Sequence, residues 1–389
     1  MIAYTYYESD PRVIRMAEAA VDAGFGVDVI ALRRPGQLLR EAIRGVHVYR
    51  IQARYRGGSL LRYMWEYVQF FTLCTLLSAW LCISRHYTVV HVHNMPDALV
   101  FSSIVPKLFG ARIILDIHDP MAETYGSKFR ISADSVVSRL LLVQERLSVA
   151  FANKTITVSE PVKSGILVKR GYAPEDIGVV ANFADDKIFT PIEYPSIDGV
   201  IRFVFHGTIL ERNGLRTLVE AAAQIRNSER IRIRIIGEGD FSATLHELIR
   251  DRGANHIIEF INRTYPLYEM PRMLSDCHVG LVPLDIGMST VANLALPLKL
   301  VEYACLGLPS ICVRNAAIEY YFKSNECMFF NSGDTAALAR LLDQSAERPE
   351  CLIEYRKRLQ EVRDRLLWSK EKERYTALLR NLSSHSVRR

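Results

Sequence analysis

A lysine and a glutamate three positions apart mark the most informative stretch of the chain, LALPLKLVEYACLGLPSICV at 294–313. Pro297 precedes a helical run that starts near Leu298. Gly307 and Pro309 end that run before an apolar strand. Lys299 and Glu302 therefore share one helical face close to the helix start. A helix N-terminus offers unpaired N–H groups and partial positive charge, which suit a phosphate. A carboxylate one turn further in can accept hydrogen bonds from ribose hydroxyls. Together they make half of a nucleoside diphosphate site, although a surface Lys–Glu pair has the same spacing.

Other stretches place polar residues just past apolar runs. In FVFHGTILERNGLRTLVEAA (203–222), Gly207 lets backbone approach a ligand, and Arg212 can pair with a phosphate. RIIGEGD (234–240) ends another strand in a glycine-rich turn around Glu238, which a plain strand-to-helix connection would also explain. VVHVHNMPDA (89–98) puts His91 and His93 on one side of a strand, a conceivable metal pair with no third ligand indicated. In RIILDIHDPMAE (112–123), His118 and Asp119 follow the strand that ends at Asp116, where an open α/β sheet carries its catalytic groups.

Alternating β-branched runs and helical patterns must position these residues, and such alternation predicts βαβ units with parallel sheets. Strands are expected at 2–6, 26–32, 47–50, 89–92, 112–116, 154–158 and 178–180. A second series follows at 202–206, 232–237, 257–261, 278–282, 310–313 and 328–330. Helices are expected between them, including 12–23, 60–83, 98–108, 135–150 and 159–170 in the first half. In the second half they fall at 214–226, 241–252, 268–275, 298–306 and 334–344, with a charged helical stretch at 352–382. The segment FADDKIFTPIEYPSIDGV, with two prolines and no clear period, reads as a linker at 183–200. Domains are thus expected at 1–182 and 201–365, with 366–389 as a closing helix and tail. Two doubly wound domains facing each other would leave a ligand cleft at the carboxyl ends of both sheets.

The chain has 389 residues, 49% hydrophobic and 24% charged, which excludes a single ordinary domain and a disordered chain. Its seven cysteines lie mostly in apolar runs without a CxxC pair, the pattern of free thiols in a reducing compartment. No secretory signal is evident in MIAYTYYESDPRV. The segment 59–84 is strongly apolar but interrupted by Arg62, Glu66 and Gln69. It suits a packed helix, a helix touching a membrane surface or, least well, a span. The formal net charge is +6. Between Arg33 and Arg62 stand eight arginines against the single acid Glu41, so this stretch accounts for the whole excess. A basic cluster beside an apolar helix points to an anionic membrane surface, not to nucleic acid. The solvated arginine-rich face is the alternative.

With these motifs in order, the chain resembles the family 4 retaining glycosyltransferases of the GT-B fold. The resemblance runs from YESDPRVIRMAEAAVDAGFGVDVIAL through VVHVHNMPDA, ILDIHDPMAE, ITVSE, VVANFADDKIFTP, FHGTILERNG, RIIGEGD and LPLKLVEYACLGLP to a Trp368-containing helix. It implies two Rossmann-like domains facing across a cleft. The N-domain would take the acceptor and the C-domain a nucleotide-sugar donor. The sugar would move with retention, and neither metal nor cofactor would be required.

By this resemblance His118 matches the N-domain histidine that contacts the donor sugar, Glu302 the ribose ligand, and Leu298 with Lys299 the phosphate-binding helix start. Arg212 lies beside the basic diphosphate ligand, and Gly207 and Glu238 join the donor set. The family's first glutamate is replaced by Leu294, with Asn293 or Asp285 as stand-ins. Asn213 and Thr208 occupy two positions that are basic in the family. The expected acceptor is a membrane lipid-linked sugar or a growing polysaccharide, in cell-surface glycan synthesis at the cytoplasmic face of the membrane. The missing glutamate also admits a non-catalytic nucleotide-sugar- or glycan-binding subunit. Another GT-B enzyme, such as an epimerase or phosphorylase, fits least.

Overall fold

The computed structural model describes residues 1–53, 60–129, 132, 134–288 and 290–386. Arg54 and Arg56 of the basic cluster lie outside them. The chain divides into two units, Met1–Ala181 with Glu371–Arg389, and Asn182–Lys370.

The first unit is built on eight strands: β1 Ile2–Ala3, β2 Val27–Arg33, β3 Arg40–Ile43, β4 Val46–Ala53, β5 Val89–His93, β6 Arg112–Ile117, β7 Lys154–Thr157 and β8 Ile177–Val179. Their order in the sheet is β3-β4-β2-β1-β5-β6-β7-β8. Every pairing is parallel except β3 with β4. The inner strands are apolar on both sides because helices cover both faces. Val29, Leu32, Val92, Ile113 and Leu115 are all buried. β3 was not expected from the sequence. It is an exposed edge strand, and Arg44 and Gly45, both at positive φ, make the two-residue turn into β4.

The second unit carries β9 Ile201–His206, β10 Ile231–Ile236, β11 Ile258–Ile261, β12 Val279–Val282, β13 Ser310–Val313 and β14 Met328–Phe330. The order is β11-β10-β9-β12-β13-β14, parallel throughout. β9 and β12 are neighbours although β10 and β11 separate them in sequence. That crossover is the switch point where such sheets bind ligands.

Two expectations change. Residues 183–200 are not a free linker but part of the second unit. Ile192 N donates to Leu306 O at 3.1 Å, and Tyr194 OH donates to His278 O at 3.0 Å. The chain rejoins the first unit at Glu371, not at 366, and Trp368 stays buried in the second. The charged stretch 352–382 is helical as expected, in two helices, Glu350–Arg365 and Trp368–Ser384. The expected helix at 159–170 is present as one continuous helical run over 160–170, whose winding changes at Lys163–Leu167 and again at Val168–Arg170.

The basic cluster is also not one solvated patch. Arg50 is buried at the edge of the sheet, with its guanidinium on Glu8 and Glu41. Arg44 pairs with Glu18 and Arg62 with Glu66. All seven cysteines are free, and only Cys351 is exposed.

Candidate functional site

In the first unit, buried Asp116 gathers four side chains. Arg12 comes from the helix Pro11–Asp22, whose start is set by Pro11 and by the Asp10 carboxylate, which accepts from Arg12 N and Val13 N. Its Nε and Nη2 each lie 2.9 Å from one Asp116 oxygen, a bidentate fork. Its Nη1 donates to Val180 O at 2.8 Å. His91 Nε2 and His93 Nδ1 each stand 3.4 Å from Asp116 Oδ2, and His118 Nε2 stands 3.1 Å from it. His93 Nδ1 is also 3.0 Å from His118 Nε2. Behind them, His91 Nδ1 meets Tyr375 OH at 2.9 Å.

Burial by itself would raise the Asp116 carboxyl, but Arg12 and His118 hold it well below the usual carboxylate range. Burial pushes His91 and His93 down, so both are neutral near pH 7. Of the four rings and carboxylates here, only His118 reaches solvent, with its side chain 17% exposed. Its backbone is fixed as well: Asn94 Oδ1 accepts from His118 N at 2.8 Å, and Asn94 Nδ2 donates to Asp119 O and Asp97 Oδ1. The group able to touch a ligand is therefore His118, and the rest orients it from behind.

His91, His93 and Asp116 bring three potential ligand atoms within 4.8 Å of one another. Asp116 is the third donor that the sequence did not indicate. Both its oxygens already receive the Arg12 fork, and a divalent cation would have to sit against that buried guanidinium. The donor set fits a hydrogen-bonded network better than a metal centre.

In the second unit the site forms at the carboxyl ends of β9 and β10. The helix Leu298–Leu306 starts after Pro297 with no side chain capping it, which leaves its first N–H groups available. Glu302, one turn in, is buried with Oε2 3.1 Å from His206 Nε2 at the end of β9. Lys299 Nζ lies 4.1 Å from the centre of the Phe205 ring. Burial lowers its ammonium to about 8, against the pull of Glu302. Tyr303 OH accepts from His206 N and donates to Val204 O, which ties this helix to β9.

The glycines set the approach. Gly207 has φ +122, and a Cβ there would touch Lys299 Cε at 3.4 Å. At Gly237, φ +146, a Cβ would fall 1.9 Å from Gly207 O, so two strand ends can lie this close only without side chains. Glu238, next to Gly237, is exposed and accepts from Thr264 Oγ1 at 2.8 Å. Arg212 is exposed on the turn Glu211–Asn213, and its side chain makes no ion pair among the described residues. The structure thus brings Gly207, Leu298, Lys299 and Glu302 together. Glu238 and Arg212 stand on neighbouring loops of the same sheet end.

Of the stand-ins for the acid missing at Leu294, Asn293 is engaged by Ala316 N at 3.1 Å. Asp285 accepts from Gly287 N at 3.0 Å.

His206, Asp116, His93 and Arg12 were not among the expected site residues. For Asp116 and His93 a signal existed: polar residues at i and i+2, 91/93 within one apolar strand and 116/118 at the end of another. The register then pairs His93 with Asp116. No local pattern marks Arg12 or Tyr375.

Comparison with known proteins bears on the family and the fold. Residues 9–182 match the model of the glycosyl transferase 4-like domain, and residues 201–347 that of the glycosyl transferases group 1. Over 229 residues the chain is 23% identical to WcaI of Escherichia coli (strain K12), named as a colanic acid biosynthesis glycosyl transferase. That match covers 56% of this chain and 54% of WcaI, so the chain spans about half the length of this curated relative.

Among solved structures, Anabaena HepE in complex with UDP and glucose superposes with a TM-score of 0.70 at 12% identity, over 97% of this chain and 98% of HepE. The Escherichia coli trehalose-6-phosphate protein bound with UDP-2-fluoro glucose gives 0.70 at 12% identity, over 98% of both chains. WaaG, a glycosyltransferase involved in lipopolysaccharide biosynthesis, gives 0.67 at 13% identity, over 97% of this chain and 99% of WaaG. At these identities the superpositions establish the fold.

Proposed function

The chain belongs to the glycosyltransferases and has their GT-B fold, and on that premise we propose that it moves a sugar from a nucleotide-diphosphate donor to a membrane lipid-linked or polysaccharide acceptor, with retention. One observation carries the donor side: an uncapped helix start and Lys299 meet two glycine-lined strand ends, with Glu302 one turn further in. The diphosphate lies on the N–H groups near Leu298 and on Lys299, with Arg212 as a further cation. The ribose hydroxyls donate to Glu302, whose second partner is His206. Positive charge on the leaving diphosphate comes from side chains and backbone, and the reading needs no metal.

His118 contacts the transferred sugar, oriented by Asp116 and Asn94. In a front-face transfer the leaving phosphate takes the acceptor proton, so no second carboxylate is needed beside the anomeric carbon. The relatives named above work with UDP-sugars, colanic acid and lipopolysaccharide, which supports a role in cell-surface glycan synthesis. The enzyme works at the cytoplasmic face of the membrane, where nucleotide sugars are available.

The test is transfer from a panel of nucleotide sugars to lipid-linked acceptors, with product stereochemistry read by NMR. Transfer with retained configuration is expected. Absence of both transfer and nucleotide binding by calorimetry would overturn the reading, and inverted product would overturn its mechanism.

A further inference from the structure

We propose that the first unit docks on an anionic lipid leaflet through three neighbouring helices, Leu60–Arg85, Ile104–Leu108 and Val136–Phe151. This rests on the membrane-borne acceptor in the reading above, and of the arginine cluster it keeps only Arg62. The three helices lead from β4 to β5, β5 to β6 and β6 to β7, all in one direction along the sheet. Right-handed crossovers then place all three on the same face. They are neighbours there: Leu60–Arg85 packs on Ile104–Leu108, and the 3₁₀ segment Asp97–Ser103 packs against both longer helices.

The outer side of this layer is apolar. The helix Leu60–Arg85 is anchored inward by Phe70, Cys74, Leu81 and Cys82, all buried. Its outward face shows Trp65 and Trp80, each 62% exposed, with Leu76 and Ile83. Only 28% of its most apolar window is buried. Next to it stand exposed Leu108 and Phe109. The helix Val136–Phe151 adds Val136, Leu140, Val143 and Leu147 at one-turn spacing, all exposed. An exposed apolar surface running across three helices is not expected of a protein surrounded by water alone.

Charge selects the occupant. The three helices contain two carboxylates, Glu66 and Glu145, and both are buried. Arg139 and Arg146 are exposed along one flank of the apolar stripe on Val136–Phe151, and Arg62 is exposed on the first helix. An apolar centre with a cationic rim, and no exposed acid within the three helices, suits an anionic leaflet. The two tryptophans lie roughly 22 Å apart along the helix at 1.5 Å per residue. With the inner face held by the sheet, the helix lies in the interface and does not span, and both indoles reach headgroup depth.

The test is co-sedimentation of the full chain with vesicles of phosphatidylcholine alone and with phosphatidylglycerol added. Binding to the anionic vesicles is expected. The double variant Leu140→Glu, Leu147→Glu should reduce it at least tenfold with an unchanged thermal midpoint. Arg139→Gln, Arg146→Gln should erase the preference for phosphatidylglycerol. No vesicle binding by the wild type, or unchanged binding by both variants, overturns the proposal. So does a dimer in sedimentation velocity that the Leu140→Glu, Leu147→Glu variant dissolves, since a second copy would then be the occupant. Transfer to a lipid-linked acceptor that is unaffected by these variants would sink the docking face and leave the proposed function standing. Vesicle binding without any transfer would do the reverse.

Discussion

Asp116 Oδ2 lies 3.1 Å from His118 Nε2, while Arg12 grips both oxygens of the same carboxylate. Asp116 thus has two tasks, to neutralise a buried guanidinium and to orient the one imidazole of this cluster that reaches solvent. The Asp116→Ala variant should separate them from background. It leaves Arg12 buried without its partner, a change that costs about 3–5 kcal/mol, to be measured by urea unfolding. Asp116→Asn keeps the shape and should lower kcat far more than it raises the donor KM.

Acid should weaken the first unit. His91 and His93 have folded-state values below their ordinary 6.5, so the unfolded chain binds more protons in acid. Their contribution is fully present above about pH 6.5 and is lost as pH falls. Asp116, depressed below its ordinary value, adds a second loss below about pH 4. The groups facing them are Arg12, His118 and Tyr375. Unfolding midpoints between pH 7 and 5 should fall in the wild type, and less in His93→Gln. A flat wild-type profile would refute this.

Glu302→Ala should weaken nucleoside diphosphate binding by about tenfold to a hundredfold, the effect of losing hydrogen bonds to a charged acceptor. Calorimetry against a panel of diphosphates checks it. Wild-type affinity in the variant would refute the placement of the ribose.

Lys299 should make donor binding depend on alkaline pH. Its ammonium sits at about 8 in the free protein, and a bound diphosphate favours the charged form. Affinity should therefore hold below pH 8 and decline above it. Lys299→Met should bind weakly at every pH.

Gly237→Ala should damage both fold and site. Its Cβ would meet Gly207 O at 1.9 Å in a backbone conformation that L-residues rarely adopt. A loss of at least about 1–3 kcal/mol is expected, together with a raised donor KM, because the displaced carbonyl belongs to the donor loop. An unchanged thermal midpoint would contradict the packing.

Much of this was legible because it is local. Apolar strand runs and helix start and stop residues give most element positions, and β13, β14 and the helix Leu298–Leu306 fall on the expected residues. The edge strand β3 was not legible, since its exposed residues REAI carry no apolar run. The helix expected at 60–83 has the right place and length, but only packing shows which side of it is covered. Likewise, eight arginines between 33 and 62 are a fact of composition, whereas the burial of Arg50 between Glu8 and Glu41 depends on strand pairing.

The sequence by itself determined two α/β units and a phosphate-suited helix start at Leu298, because periodicity and capping act over a few residues. Only the tertiary structure joined Arg12, His91, His93, Asp116, His118 and Tyr375. His91 and Tyr375 are 284 positions apart, and their contact requires the register of β5 and the return of the last helix to the first unit. Such contacts are decided by the burial of whole elements, which no short window of sequence contains.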